Sequence, residues 1–189
     1  MAIAVDTILT NAARLLSDET NTTWGAGTLV AWLNEAQHRI AYAVPSASTK
    51  RADIPFTAAS AEQDLPDDGI RILDLVGVRK VDKAALDREK PGWESDTAAN
   101  QPTMWMPSEH NPHEFYVYPP HSGVGTHECE YSYTPPDVQV GDDISLHDHH
   151  AEPITDYIVA RALSEDSDYA EPGRSEYYMQ MYKDALGIK

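Results

Sequence analysis

Thr23-Trp24-Gly25-Ala26-Gly27-Thr28-Leu29-Val30-Ala31-Trp32-Leu33-Asn34-Glu35-Ala36-Gln37-His38-Arg39-Ile40-Ala41-Tyr42-Ala43-Val44-Pro45 carries the clearest helical pattern in the chain. Leu29, Leu33, Ala36, Ile40 and Val44 recur at helical spacing and lay one apolar stripe along a helix. Asn34, Gln37, His38 and Arg39 fall mainly on the other faces. Thr23 and Gly25 suit the cap, Trp24 suits a staple onto the first turns, and Pro45 closes the pattern. A helix with one apolar stripe needs partners, so this segment is expected to be the hub of a small helical bundle.

The partners lie at the two ends of the chain. Val5, Ile8, Leu9, Ala12, Leu15 and Leu16 predict a helix from about Ala4 to Ser17. The polar loop from Ser17 to Thr22 is short enough to make the first two helices an antiparallel hairpin. Pro153 suits a first-turn position, and Ile154, Ile158, Ala162 and Leu163 stripe a third helix to about Ser164. A fourth is predicted from Pro172 to Leu186, capped by Gly187, with Tyr178, Met181, Tyr182 and Ala185 inward.

Between these ends the composition changes. Eleven of the thirteen prolines lie from Pro45 to Pro136, which disfavours long helices there. Strands are predicted at Arg51–Thr57 (an edge, because of Pro55), Ile70–Val78, Thr103–Met106, Glu114–Tyr118 and His127–Tyr133. Gln63 to Gly69 reads as a turn, and Lys83–Glu89 as a short helical turn ended by Pro91-Gly92. The last two strands read as a hairpin with a long loop. Cys129, Tyr131 and Tyr133 alternate with Glu128, Glu130 and Ser132, the period of a half-buried strand. The expected fold is α+β: an antiparallel bundle of about four helices from residues 1–45 and 150–189, with a small antiparallel β domain of about four strands within 46–149.

The 189 residues allow one domain with a core, or one domain carrying an insertion. No apolar run is long enough to span a bilayer, and no secretory signal is expected at the N-terminus. Cys129 is the single cysteine, so no intrachain disulfide forms, which suits a reducing cytoplasm. The formal net charge of −17 argues against a protein that grips nucleic acid or docks on anionic membrane. An acidic surface also serves solubility.

Little in the chain points to catalysis. His147-Asp148-His149-His150-Ala151-Glu152 holds residue types that ligate metals, and a metal-binding or enzymatic domain built on it is the alternative reading. Its spacing matches no metal motif, and a polar helix N-terminus accounts for it equally. Glu128 and Glu130 fit a solvent-facing row. Cys129, on the inward face, fits a small core residue. Asp67-Asp68-Gly69 lacks the remaining ligands of a calcium loop, and Gly25-Ala26-Gly27 lacks the ending of a phosphate cradle. No catalytic, metal or cofactor residue is expected. Asn11, Arg14, His38 and Arg39 lie on outer faces, and Arg14 and Arg39 are candidate subunit contacts. Tyr169, Tyr177, Tyr178, Met179, Met181 and Tyr182 offer more soft apolar surface than one helical stripe uses; Tyr177, Tyr178, Met181 and Tyr182 are interface candidates.

Trp24 followed by Leu29-Val30-Ala31-Trp32-Leu33-Asn34-Glu35-Ala36-Gln37 resembles the start of the tailed-bacteriophage head-to-tail connector, or adaptor, proteins. Leu65-Pro66-Asp67-Asp68-Gly69-Ile70-Arg71-Ile72-Leu73 is similar to that family's second landmark, and Asp87 with Pro91-Gly92-Trp93 to its third. Phe115-Tyr116-Val117-Tyr118-Pro119-Pro120 and Tyr157 through Ala162 continue the likeness over nearly the whole chain. The resemblance implies a structural virion protein made in the host cytoplasm and located in the neck or tail. It implies a homo-oligomeric ring, typically of about twelve copies, below the portal protein and joined to the next tail or neck protein. The ring leaves a channel for transient, non-specific passage of double-stranded DNA. The family carries no catalytic residues over. In such a ring the loop carboxylates Asp64, Asp67, Asp68, Asp142, Asp143 and Asp148 are candidates to line the channel, where they would repel the duplex.

Overall fold

The computed structural model describes residues 3–165 and 170–188; Tyr169, named above, lies outside the described residues. Its described residues form five α-helices and two β-sheets, a mixed α+β fold. The chain divides into two compact units, one made of residues 1–48 and 135–189, the other of residues 49–134.

The first unit holds α1 (Val5–Leu15), α2 (Ala26–Ala43), α4 (Ala151–Ser164) and α5 (Pro172–Leu186). Its core joins Ile8, Leu29, Leu33, Ile40, Ile154 and Ile158, each at most 1% exposed. The hub differs from the expectation. α4, not α2, packs against all three other helices, while α1 and α2 meet less extensively. The reason is compositional: Pro153 through Ala160 are all buried, so α4 is covered on every side and must sit at the centre.

Two polar side chains of α2 also depart from the expected outer faces. Asn34 and Gln37 are buried. Asn34 donates to the Val138 carbonyl (3.1 Å) and accepts from the Val138 N–H (3.0 Å). Gln37 donates to Asn34 (3.3 Å) and accepts from the Ser145 N–H (3.2 Å). The returning segment after Pro135 has no regular structure, so its buried backbone groups take side-chain partners. Val138, Ile144 and Leu146 pack in the helical core. The segment 135–149, expected within the β region, thus packs with the helices.

Asp18 organises the turn between α1 and α2. It is 7% exposed. Its carboxylate accepts from the N–H groups of Thr22 (2.9 Å), Thr23 (3.0 Å) and Trp24 (2.8 Å) and from the Thr22 hydroxyl. Gly25 at the helix cap makes no side-chain bond, so Asp18 does the work expected of Thr23. Trp24 is buried with its ring 5.7 Å from Trp32. Burial pushes the Asp18 carboxyl up, but the four hydrogen bonds outweigh it and hold it below its ordinary range. A depressed carboxyl stabilises the fold above its unfolded pKa, and that contribution is lost as pH falls below 3.8. Asp18→Ala should cost about 1–3 kcal/mol in a urea melt at neutral pH; an unchanged midpoint would count against this role.

The second unit holds β1 (Thr49–Pro55), β2 (Ser60–Asp64), β3 (Gly69–Leu75), β4 (Arg79–Lys80), α3 (Lys83–Glu89), β5 (Met104–Pro107), β6 (Glu114–His121) and β7 (Thr126–Tyr133). One sheet runs β1-β7-β3, the other β2-β6-β5-β4. β1 is an edge, as Pro55 predicts. Three features differ from the expectation. There are seven strands among the described residues rather than about four, with β2 ending inside the supposed turn. β4 pairs parallel to β5. β6 and β7 form no hairpin: β7 has both edges taken by β1 and β3, and β6 has both taken by β2 and β5. β6 and β7, though successive, belong to different sheets.

Ile54, Ile72, Leu75, Cys129 and Tyr131 from the first sheet share a core with Trp105, Phe115 and Val117 from the second. The other face of the second sheet packs Met106 and Ala61 against Leu86 of α3 and Trp93. Sheet two is therefore covered on both sides, which is why adjacent Trp105 and Met106 are both 0% exposed. The Trp93 indole donates to Asp87 (2.7 Å), and Gly92 between them sits at φ +80°. Gly69 is held for space, since a Cβ there would meet the Leu65 Cβ at 2.6 Å.

Candidate interaction surfaces

α5 buries Ser175 and Tyr182, the latter 4% exposed with its ring 5.1 Å from Tyr157. Tyr178 and Met179 are half-buried against the same core. Tyr177 is 60% and Met181 40% exposed, one helical turn apart. So the face that looks outward carries Tyr177 and Met181, while Tyr182 is an internal anchor and Met181, expected inward, is not. The Tyr177 and Tyr178 rings lie 5.4 Å apart, edge to face.

Arg39 is exposed but tied within the chain. Its Nε and Nη2 donate to one Glu35 oxygen at 3.0 and 2.9 Å, and its guanidinium lies 5.5 Å from the Tyr157 ring. Arg161 approaches the other Glu35 oxygen at 3.7 Å. Burial raises the Glu35 carboxyl, while Tyr157, Arg39 and Arg161 lower it, with a net shift downward. Tyr42 on α2, at 71%, is the most exposed large hydrophobic residue among those described, and the periodicity gives no reason to single it out.

Arg14 lines a cleft of about 600 Å³ within the helical unit. Ile3, Thr7, Ile8, Asn11 and Leu15 lie with it on one side. Asp148, His149, Ala151, Glu152, Thr155 and Asp156 form the other. Asp156 is only 9% exposed, lines the cleft, and has no hydrogen-bond or ion-pair partner among the described residues; its carboxylate oxygens are not among the fully enclosed unpartnered polar atoms. Burial, and then the Glu152 charge, push its carboxyl up to about 6. Sequence reading passed over Asp156 because an acidic residue in a helix interior carries no pattern of its own.

The histidine run forms a 3₁₀ turn at Asp148–His150 leading into α4. The His147 and His149 rings stack at 5.8 Å, and the His149 and His150 rings lie 4.0 Å apart. His150 is buried, and burial together with His149 and His147 pushes it down to about 4. Among the described residues no group of three or more His, Cys, Asp or Glu side chains is placed to hold a metal ion.

The six candidate carboxylates divide between the units, and Asp64, expected in a loop, is the last residue of β2, opposite Glu114. Asp64 and Asp67 are exposed in the β unit, and Asp68 is half-buried in an ion pair with Lys50. Asp142 and Asp143 are exposed in the helical unit, where the Asp142 carboxylate accepts from the Gln139 N–H at 2.8 Å and Asp143 bridges to Ala4. Asp148 is exposed at the cleft. Cys129 is fully buried, its thiol pushed up to about 12 by burial and by Asp53 and Asp74, which favours the protonated form. Glu128 is exposed and Glu130 pairs with Arg51 at 2.7 Å.

A buried histidine pair escaped the sequence reading. The Nε2 atoms of His121 and His127 lie 2.9 Å apart beside Phe56, and His121 Nε2 is 3.1 Å from the Asn100 carbonyl. Stepping back by two from Cys129 reaches His127, so the alternation did contain that signal.

No curated protein matches the chain. The family model described as SU10 adaptor protein matches residues 3–189. With a match of that extent the chain belongs to the SU10 adaptor protein family, a phage head-to-tail adaptor family.

Proposed function

We propose that the chain is a structural virion protein that joins the capsid to the tail from the neck of the particle. The family match across nearly the whole chain carries this reading. In it, a ring of about twelve copies sits below the portal, contacts the next tail or neck protein, and leaves a channel for DNA. The helices act as an antiparallel bundle into which the β domain is inserted, and the bundle supplies the ring contacts. Tyr177 and Met181, with half-buried Tyr178, form an apolar patch of the kind interfaces bury. Buried Tyr182 anchors the helix that presents them. Arg14 and Arg39 flank the bundle as polar contacts. Asp64, Asp67, Asp68, Asp142, Asp143 and Asp148 line the bore. Their charge repels the duplex, where a basic lining would hold phosphates by counterion release. No helix among the described residues is long and apolar enough to cross a membrane, and the reading needs none.

Complementation tests this. Phage lacking a functional copy should accumulate DNA-filled heads and free tails, and the purified chain should join them. Cryo-electron microscopy of the joined particles should then place the chain as a ring at the neck with carboxylates toward the bore. Tails that attach without the chain would end the reading. A ring with a basic bore would end the channel assignment alone.

A further inference from the structure

We propose that the cleft between α1 and the start of α4 is a docking site for a basic side chain, arginine or lysine, presented by a different protein. The cleft combines an apolar wall, with Ile3, Ile8 and Leu15, and an acidic end formed by Glu152 and Asp156. Glu152 and Asp156 are four residues apart on one helix and so share a face. Asp156 is nine-tenths buried and has no partner among the described residues. A buried carboxylate without a partner is costly, and a charge-assisted hydrogen bond from a cation removes that cost. The carboxyl pushed up to about 6 reflects the same unmet demand.

None of the described residues meets that demand. Arg14 lines the same cleft, yet makes no ion pair with Asp156 within 4.0 Å. The apolar wall suits the methylene stem of a long basic side chain, and its charged head would reach the carboxylates. Charge complementarity decides the source. This chain has 14 basic against 31 acidic residues, so a second copy approaches with like charge, while a basic partner is attracted. The proposal stands on the cleft alone and does not depend on the adaptor reading.

The test titrates the isotopically labelled full chain with a blocked tripeptide carrying arginine between two leucines. The control carries citrulline, which keeps the shape and lacks the charge. The arginine peptide should shift the amides of Asn11, Glu152 and Asp156 saturably, with a millimolar dissociation constant, and the citrulline peptide should bind about tenfold more weakly or worse. Asp156→Asn, close in shape, should abolish the response; Glu152→Gln, at an exposed position that tolerates change, should weaken it and carries the test if the first variant does not fold. Absence of saturation, equal binding of citrulline, or an undiminished response in both variants overturns the proposal. Self-association of the wild-type chain that Asp156→Asn dissolves would assign the cleft to a second copy and overturn it as well. Complementation of tail joining is a separate readout, so failure here leaves the adaptor reading intact.

Discussion

Leu33→Ala should lower the stability of the helical unit by about 2–5 kcal/mol. Leu33 is 0% exposed and sits in α2 within the cluster that includes Ile154 and Ile158 of α4. Shortening it removes apolar contacts and leaves a cavity between two helices. The backbone around the cavity is held by the Asn34 and Gln37 bonds to the returning segment, which limits collapse onto the space. A site that cannot collapse lies toward the upper end of that range. The measurement is a urea melt followed by the helical circular-dichroism signal, which reports mainly on the unit that holds four of the five helices. The midpoint should fall with the slope unchanged. Tyr42→Ala, at a 71% exposed position of the same helix, should move stability by less than about 0.5 kcal/mol. A loss of under about 0.5 kcal/mol for Leu33→Ala would mean that α2 is not seated as described.

The helices were legible because each is an amphipathic or apolar pattern readable within its own residues. Leu29, Leu33, Ala36 and Ile40 are all buried on α2, as their spacing requires. Pro172 and Gly187 mark the ends of α5 as their types predict. Alternation likewise found β7 and put Cys129 inward. What alternation does not encode is the partner. β6 and β7 each read as half of one hairpin, yet β7 pairs with β1 and β3 and β6 pairs with β2 and with its predecessor β5; the first three pairings are distant in sequence and leave no trace in local period. The same limit hid the hub. Ile154, Ile158, Ala162 and Leu163 mark one stripe of α4, but Thr155, Asp156 and Tyr157 on its other faces are buried too, and local spacing does not encode that. The polar type of Asn34, Gln37 and Asp18 carries no signal of burial, yet each satisfies backbone groups of another segment. At the cleft, Arg14, Asp148 and Glu152 are visible as residues; that α1 and α4 bring them together with Asp156 is not.

Two opposed titrations in the helical unit should nearly cancel, and removing either should expose the other. His150 ordinarily takes up a proton near pH 6.5 but does so near 4 in the fold, because burial and its histidine neighbours disfavour the charge. Acidification between those values therefore favours the unfolded chain, by on the order of 3 kcal/mol in total. Asp156 behaves in the opposite sense. Its carboxyl takes up a proton near pH 6 in the fold and near 3.8 when unfolded, because burial and Glu152 disfavour the carboxylate. Acidification through that window relieves a buried charge and favours the fold, again by on the order of 3 kcal/mol. His127, lowered by burial and by His121, adds to the loss on the histidine side. Stability of the wild-type chain should thus fall only gently from pH 6.5 to about 4.5, the range above most carboxylate titrations. In Asp156→Asn the compensation is gone, and stability should drop clearly over the same range. That variant should be at least as stable as wild type at pH 7, where the ionised carboxylate costs most. In His150→Gln the carboxyl acts against His127 alone, and the loss on acidification should shrink or reverse. Urea midpoints at a series of pH values test this directly. Parallel curves for wild type and both variants would show that neither group titrates away from its ordinary value in the fold.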